Sequence, residues 1–187
     1  MKLFIASSAS SDIPKKYLQD CQEYLDCLFK ENHDLVFGAS EKGIMGLSYH
    51  SALNHQRNII GIYPQNHQEE VANLNFNESI VTPTISQRTD NLIKECDALI
   101  FLPGGIGTMQ EFFTALEYMR NQVLSKPIII YNSQNYFTPL YKLLNKIYTE
   151  HFANTEVQNY YHLSNSIEDT IQYLQSYSNM PKLIKKQ

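Results

Sequence analysis

The run Pro103-Gly104-Gly105-Ile106-Gly107-Thr108 carries the residue types and spacing best suited to chemistry in this chain. It follows a short apolar stretch and precedes a segment with Met109, Phe112, Phe113, Leu116 and Met119 at helical spacing. Gly104, Gly105 and Gly107 permit a tight turn with positive φ and leave successive backbone N–H groups bare. At the head of a helix those donors, with the positive end of the helix dipole, make a site for an anion such as a phosphate. Thr108 caps the helix or donates its hydroxyl to a phosphate oxygen. Glu111 follows three residues later, on the same helix face, and can reach the same rim. On its type alone it serves equally as a complement to the dipole. Arg88 begins the helical segment before the same apolar run. Its guanidinium could clamp a phosphate or ribose as a fork, although a solvated surface arginine is the plainer reading.

Positioning these groups requires a scaffold, and the pattern supplies one by alternating short apolar runs with longer segments of helical period. Strands are expected at residues 2–7, 35–37, 59–63, 98–102 and 127–131, with a short extended piece at 78–82. Helices are expected at 14–30, 44–54, 86–95, 108–122, 137–151 and 166–178, with Asp12 placed to cap the first and Pro14 near its first turn. Residues 65–77 read as loop, and the basic segment 181–187 as a flexible tail beyond one domain of residues 1–180. This order predicts an α/β fold, a Rossmann-like doubly wound parallel sheet with helices on both faces. Ligands bind such sheets beyond the carboxyl ends of the strands, at the switch point. The strands ending at Ser7, Phe37 and Leu102 all run into small residues, Ser8-Ala9-Ser10, Gly38-Ala39-Ser40 and Gly104-Gly105, which let a ligand approach the backbone.

Composition narrows the function classes. With 187 residues, 43% hydrophobic and 18% charged, the chain can bury a core without staples. Its formal charge of −4 offers no broad attraction to a nucleic acid polymer or an anionic membrane. Cys21, Cys27 and Cys96 lack CxxC spacing and read as reduced thiols of a cytoplasmic protein. Neither a signal-peptide core nor a membrane-length apolar stretch is present. Gly38-Ala39-Ser40-Glu41-Lys42-Gly43 has the glycine spacing of a Walker A loop, but Ile44-Met45 replace its Lys and Ser/Thr. There is no GxSxG elbow, no HExxH pair and no GxGxxG after the first strand.

The stretch Pro103-Gly104-Gly105-Ile106-Gly107-Thr108-Met109-Gln110-Glu111 resembles the PGGxGTxxE signature of the LOG ("lonely guy") family, cytokinin riboside 5′-monophosphate phosphoribohydrolases whose relatives were long labelled lysine decarboxylases. The likeness runs from the first strand to about Tyr177. Ser7-Ser8, Gly43-Ile44-Met45-Gly46, Thr84-Ile85-Ser86-Gln87-Arg88-Thr89 and Asn135-Tyr136-Phe137-Thr138-Pro139-Leu140 resemble the family's small-residue turn and its GxMG, SMxxRK and GYYxPL segments. The resemblance implies a homodimer that binds a nucleoside 5′-monophosphate such as AMP, with no metal or redox cofactor. It also implies a catalytic pair of Arg88 and Glu111, and a nucleotide site of Ser8, Gly38, Met45, Gly104, Gly105, Gly107 and Thr108. Three departures stand out: Thr89 replaces the family's Lys, Ile85 its Met, and Gly38-Ala39-Ser40 its glycine-rich turn. They remove a positive charge and leave a non-enzymatic nucleotide sensor or carrier as the alternative reading. A pyridoxal-phosphate decarboxylase is rejected, since no lysine sits beside the phosphate turn.

Overall fold

The computed structural model describes residues 1–178; the expected tail at 181–187 lies outside the described residues. Seven strands, β1 (Lys2–Ala6), β2 (Asp34–Phe37), β3 (Ile59–Pro64), β4 (Glu78–Thr82), β5 (Ala98–Phe101), β6 (Ile128–Tyr131) and β7 (His162–Ser164), form one sheet in the order β4-β3-β2-β1-β5-β6-β7. Every neighbouring pair is parallel. The helices are α1 (Lys15–Lys30), α2 (Gly43–Asn54), α3 (Ile85–Glu95), α4 (Ile106–Arg120), α5 (Thr138–Thr149) and α6 (Ile167–Ser178).

Strand order follows from residue type. β1, β2, β5 and β6 are almost continuously buried, as strands covered on both faces must be. Successive side chains point to opposite faces, so each strand feeds two cores. Leu3 and Ile5 join Leu25, Leu28, Ile44 and Leu174 under α1, α2 and α6, whereas Phe4 and Ala6 join Leu92, Phe112, Ala115 and Leu144 under α3, α4 and α5. This is the expected doubly wound Rossmann-like sheet. Its direction reverses between β1 and β5, which puts the switch point at the ends of those two strands. No helix among the described residues is long and apolar enough to cross a membrane.

The expected extended piece at 78–82 is edge strand β4, and its mostly exposed residues explain its faint signal. β7 is a strand the pattern does not announce. Asp12 does not cap α1: that helix starts after Pro14 without a side-chain cap, and the Asp12 amide instead donates to Ser10 Oγ.

Candidate active site

The switch point holds a cleft of about 250 Å³ lined by Ser7, Ser8, Ala9, Met45, Arg88, Gly105, Gly107, Thr108 and Glu111. Its floor is tied together through the backbone. The Leu102 amide donates to the Ala6 carbonyl, Ser8 to Pro103, and Met45 to Ser8, at 2.9, 3.2 and 3.0 Å. Loop 8–10, the head of α2 and the glycine turn are therefore hydrogen-bonded to one another. Gly43 makes this approach possible: it has φ +60, and a Cβ there would press on the Ser8 and Ser10 carbonyl oxygens.

The glycine turn differs in detail from the sequence expectation. Helix α4 begins at Ile106, its cap is extended Gly105 (φ −88°, ψ −152°), and Thr108 is already inside the helix rather than at its cap. Glu111 consequently sits in the second turn. Positive φ is not used here either; among the described residues Gly43 is the glycine that adopts it. The glycines act by size instead. A Cβ on Gly104 would overlap the Thr108 side chain, whereas one on Gly105 or Gly107 would meet nothing within 4 Å. Both residues line the cleft at the head of α4, the end of a helix at which the dipole favours an anion.

Arg88 and Glu111 meet across the cleft from α3 and α4, Arg88 Nη1 donating to Glu111 Oε1 at 3.0 Å. Their side chains are 16% and 6% exposed, so this is a largely dehydrated pair. Arg88 Nη2 also approaches the Gly38 carbonyl at 3.4 Å, and a Cβ on Gly38 would overlap the guanidinium. Gly38 thus gives Arg88 room at the end of β2. Burial pushes the Glu111 carboxyl above the ordinary glutamate range, opposed by the Arg88 charge and hydrogen bond.

Of the residues singled out in the sequence, Ser8, Met45, Arg88, Gly105, Gly107, Thr108 and Glu111 line one cleft, while Gly38 and Gly104 lie behind Arg88 and Thr108. Sequence reasoning placed Ser7 in the small-residue turn with Ser8 but assigned only Ser8 to the nucleotide site. The Ser7 hydroxyl is buried, lines the cleft and has no hydrogen-bond partner among the described residues. A serine closing an apolar strand was the available signal, but nothing local distinguishes it from Ser8. Thr89 does not line the cleft; it is buried between α3 and α4, its Oγ1 against the Ile85 carbonyl and Gln110 Oε1.

The family model described as "Possible lysine decarboxylase" matches residues 45–174. This chain belongs to the LOG family. A probable cytokinin riboside 5′-monophosphate phosphoribohydrolase of Oryza sativa subsp. japonica is 29% identical over 171 residues, 90% of this chain and 70% of its own length. Cytokinin riboside 5′-monophosphate phosphoribohydrolases of Arabidopsis thaliana and Rhodococcoides fascians are 27% and 28% identical, over 94% and 76% of this chain and 82% and 73% of theirs. The molybdenum cofactor binding protein of Rippkaea orientalis superposes with a TM-score of 0.70 at 24% identity, covering 95% of this chain and 97% of that one. The molybdenum cofactor carrier protein of Chlamydomonas reinhardtii gives 0.70 at 18%, covering 96% and 98%. Those two likenesses concern the fold. The cleft assembles residues from the ends of two strands, β1 and β5, and from three helices, α2, α3 and α4.

Proposed function

We propose that this LOG-family chain hydrolyses the N-glycosidic bond of a nucleoside 5′-monophosphate, AMP or a cytokinin-type nucleotide, giving free base and ribose 5-phosphate. The observation that carries the reading is the dehydrated Arg88–Glu111 pair facing the open glycine amides across one cleft. In this reading the 5′-phosphate lies against Gly105, Gly107 and Thr108, with Ser8 and the unpartnered Ser7 hydroxyl at its side. The ribose then lies against the paired Arg88 and Glu111, and Met45 forms part of the wall. As the bond from C1′ to the base nitrogen lengthens, its electron pair leaves with the base and positive charge grows on the sugar. The Glu111 carboxylate stabilises that charge and takes a proton from the water that adds to C1′; transfer of that proton to the departing base nitrogen gives the neutral free base and restores the carboxylate. A raised proton affinity makes it a stronger base than an exposed glutamate. Arg88 orients the carboxylate and the sugar.

Incubation with AMP, with assay for adenine and ribose 5-phosphate in equal amounts, tests this. Binding of AMP without release of adenine would instead select a nucleotide sensor or carrier. One observation favours that second reading: with Thr89 buried elsewhere, Arg88 is the only cation among the described residues lining the cleft.

Gly38→Ala offers a separate check. The added methyl displaces the Arg88 guanidinium, a flexible obstacle, rather than backbone. A shift of that size in a group that orients the reaction lowers kcat/KM by roughly 10- to 100-fold. Urea unfolding should show a smaller loss than removing the arginine. Unaltered kcat/KM would show that Arg88 placement is irrelevant.

The reading includes a homodimer in the cytoplasm. An apolar groove between α4 and α5, with Phe152 84% exposed, supports pairing, and the three free thiols support a reducing compartment. Sedimentation equilibrium reads the mass.

A further inference from the structure

Tyr136 does not line the cleft, yet its hydroxyl donates to the Gly104 carbonyl at 2.6 Å. The peptide between Gly104 and Gly105 opens the phosphate turn, and no Cβ on either side resists its rotation. A planar trans peptide points its C=O and N–H in opposite directions. In one orientation the Gly105 N–H is available to an anion; flipped, the Gly104 carbonyl oxygen would face and repel it. We propose that Tyr136 is a positioning residue that locks this peptide with the Gly105 N–H turned toward the phosphate.

The hydroxyl is aimed by the loop after β6, which its own contacts hold in place. Gln134 and Asn135 both sit in the left-handed region, at φ 49 and 61, a strained arrangement for consecutive residues with side chains. Asn132 Oδ1 accepts from the Phe137 amide at 2.9 Å, and the Tyr136 amide donates to the Ser133 carbonyl at 2.9 Å. The Ser133 hydroxyl donates to Asp20 of α1. The Tyr136 ring meets Tyr17 and Phe137 edge to face, with centroids 5.6 and 5.0 Å apart. Ring and backbone are thus fixed independently of the hydroxyl, and Tyr136→Phe removes the lock alone.

This inference rests on the phosphate placement proposed above. The test is calorimetric titration of ribose 5-phosphate and of adenine into the wild type and Tyr136→Phe, with AMP kinetics on both. Loss of one ordering hydrogen bond weakens ribose 5-phosphate binding by about 3- to 10-fold. The KM for AMP rises by a similar factor, kcat holds within about twofold, and adenine binding is unaltered. In the wild type, the Gly105 amide resonance moves on addition of inorganic phosphate, and it moves less in the variant. Equal affinity for ribose 5-phosphate, a loss shared by adenine, or a fall in kcat at constant KM overturns the lock. Weakened ribose 5-phosphate binding in a protein that releases no adenine supports the lock and defeats the hydrolase reading. Hydrolysis with the same KM in both proteins does the reverse.

Discussion

Glu111→Gln lowers AMP turnover by roughly 10²–10⁴-fold, the usual worth of a positioned acid–base group. Glutamine has the same shape, and its carbonyl oxygen can still accept from Arg88 Nη1, so cleft geometry and nucleotide affinity should persist. What disappears is the negative charge opposite the developing sugar cation and the site for the proton of water. The pH profile gives a second readout. A base must be ionised, so activity falls as pH drops through its pKa. Because burial raises Glu111, that acid limb lies above the ordinary glutamate value of about 4.3. The glutamine variant lacks the limb. Wild-type rates of adenine release from the variant would remove Glu111 from the reaction.

Arg88→Met has the second large effect, this time on stability as well as rate. It leaves Glu111 buried without its counter-charge, and breaking such a pair costs about 3–5 kcal/mol when the remaining group stays charged. Both influences that lower the Glu111 pKa come from Arg88, so without it burial acts unopposed and the pKa rises further. The folded state then holds the proton more tightly than the unfolded chain. The penalty is complete above the folded pKa, shrinks as pH falls through it, and vanishes below the unfolded value. Urea midpoints of Arg88→Met and wild type should therefore differ most near pH 8 and converge toward about pH 4. In Arg88→Met/Glu111→Gln the pH dependence disappears. A gap of the same size at every pH would mean that the carboxyl is not carrying the loss.

Much of this architecture is legible before any coordinates. The apolar runs ending at Ser7, Phe37 and Leu102 are read correctly because buried parallel strands are nearly all apolar. The glycine turn is legible as the link between a buried strand and a helix, because three glycines interrupt the apolar pattern there. Its fine structure is not. Thr108 looks like a cap from its type, but Gly105 is extended and lets α4 start earlier, which moves Glu111 into the second turn. The role of Gly38 depends on Arg88 reaching over it from a helix fifty positions away, a contact no local pattern encodes. β7 escapes because His162-Leu163-Ser164 contains one apolar residue, enough for a three-residue edge strand but not for a signal. Thr89 marks a departure in charge, yet only packing shows that it points into the α3–α4 contact.

The most direct test is a crystal structure of Glu111→Gln grown with AMP, since that variant should hold the nucleotide uncleaved. The phosphate is expected against the amides of Gly105 and Gly107, with C1′ of the ribose beside the pair formed by Arg88 and residue 111. Phosphate density away from the head of α4, or a ribose turned from residue 111 into solvent, would contradict this placement.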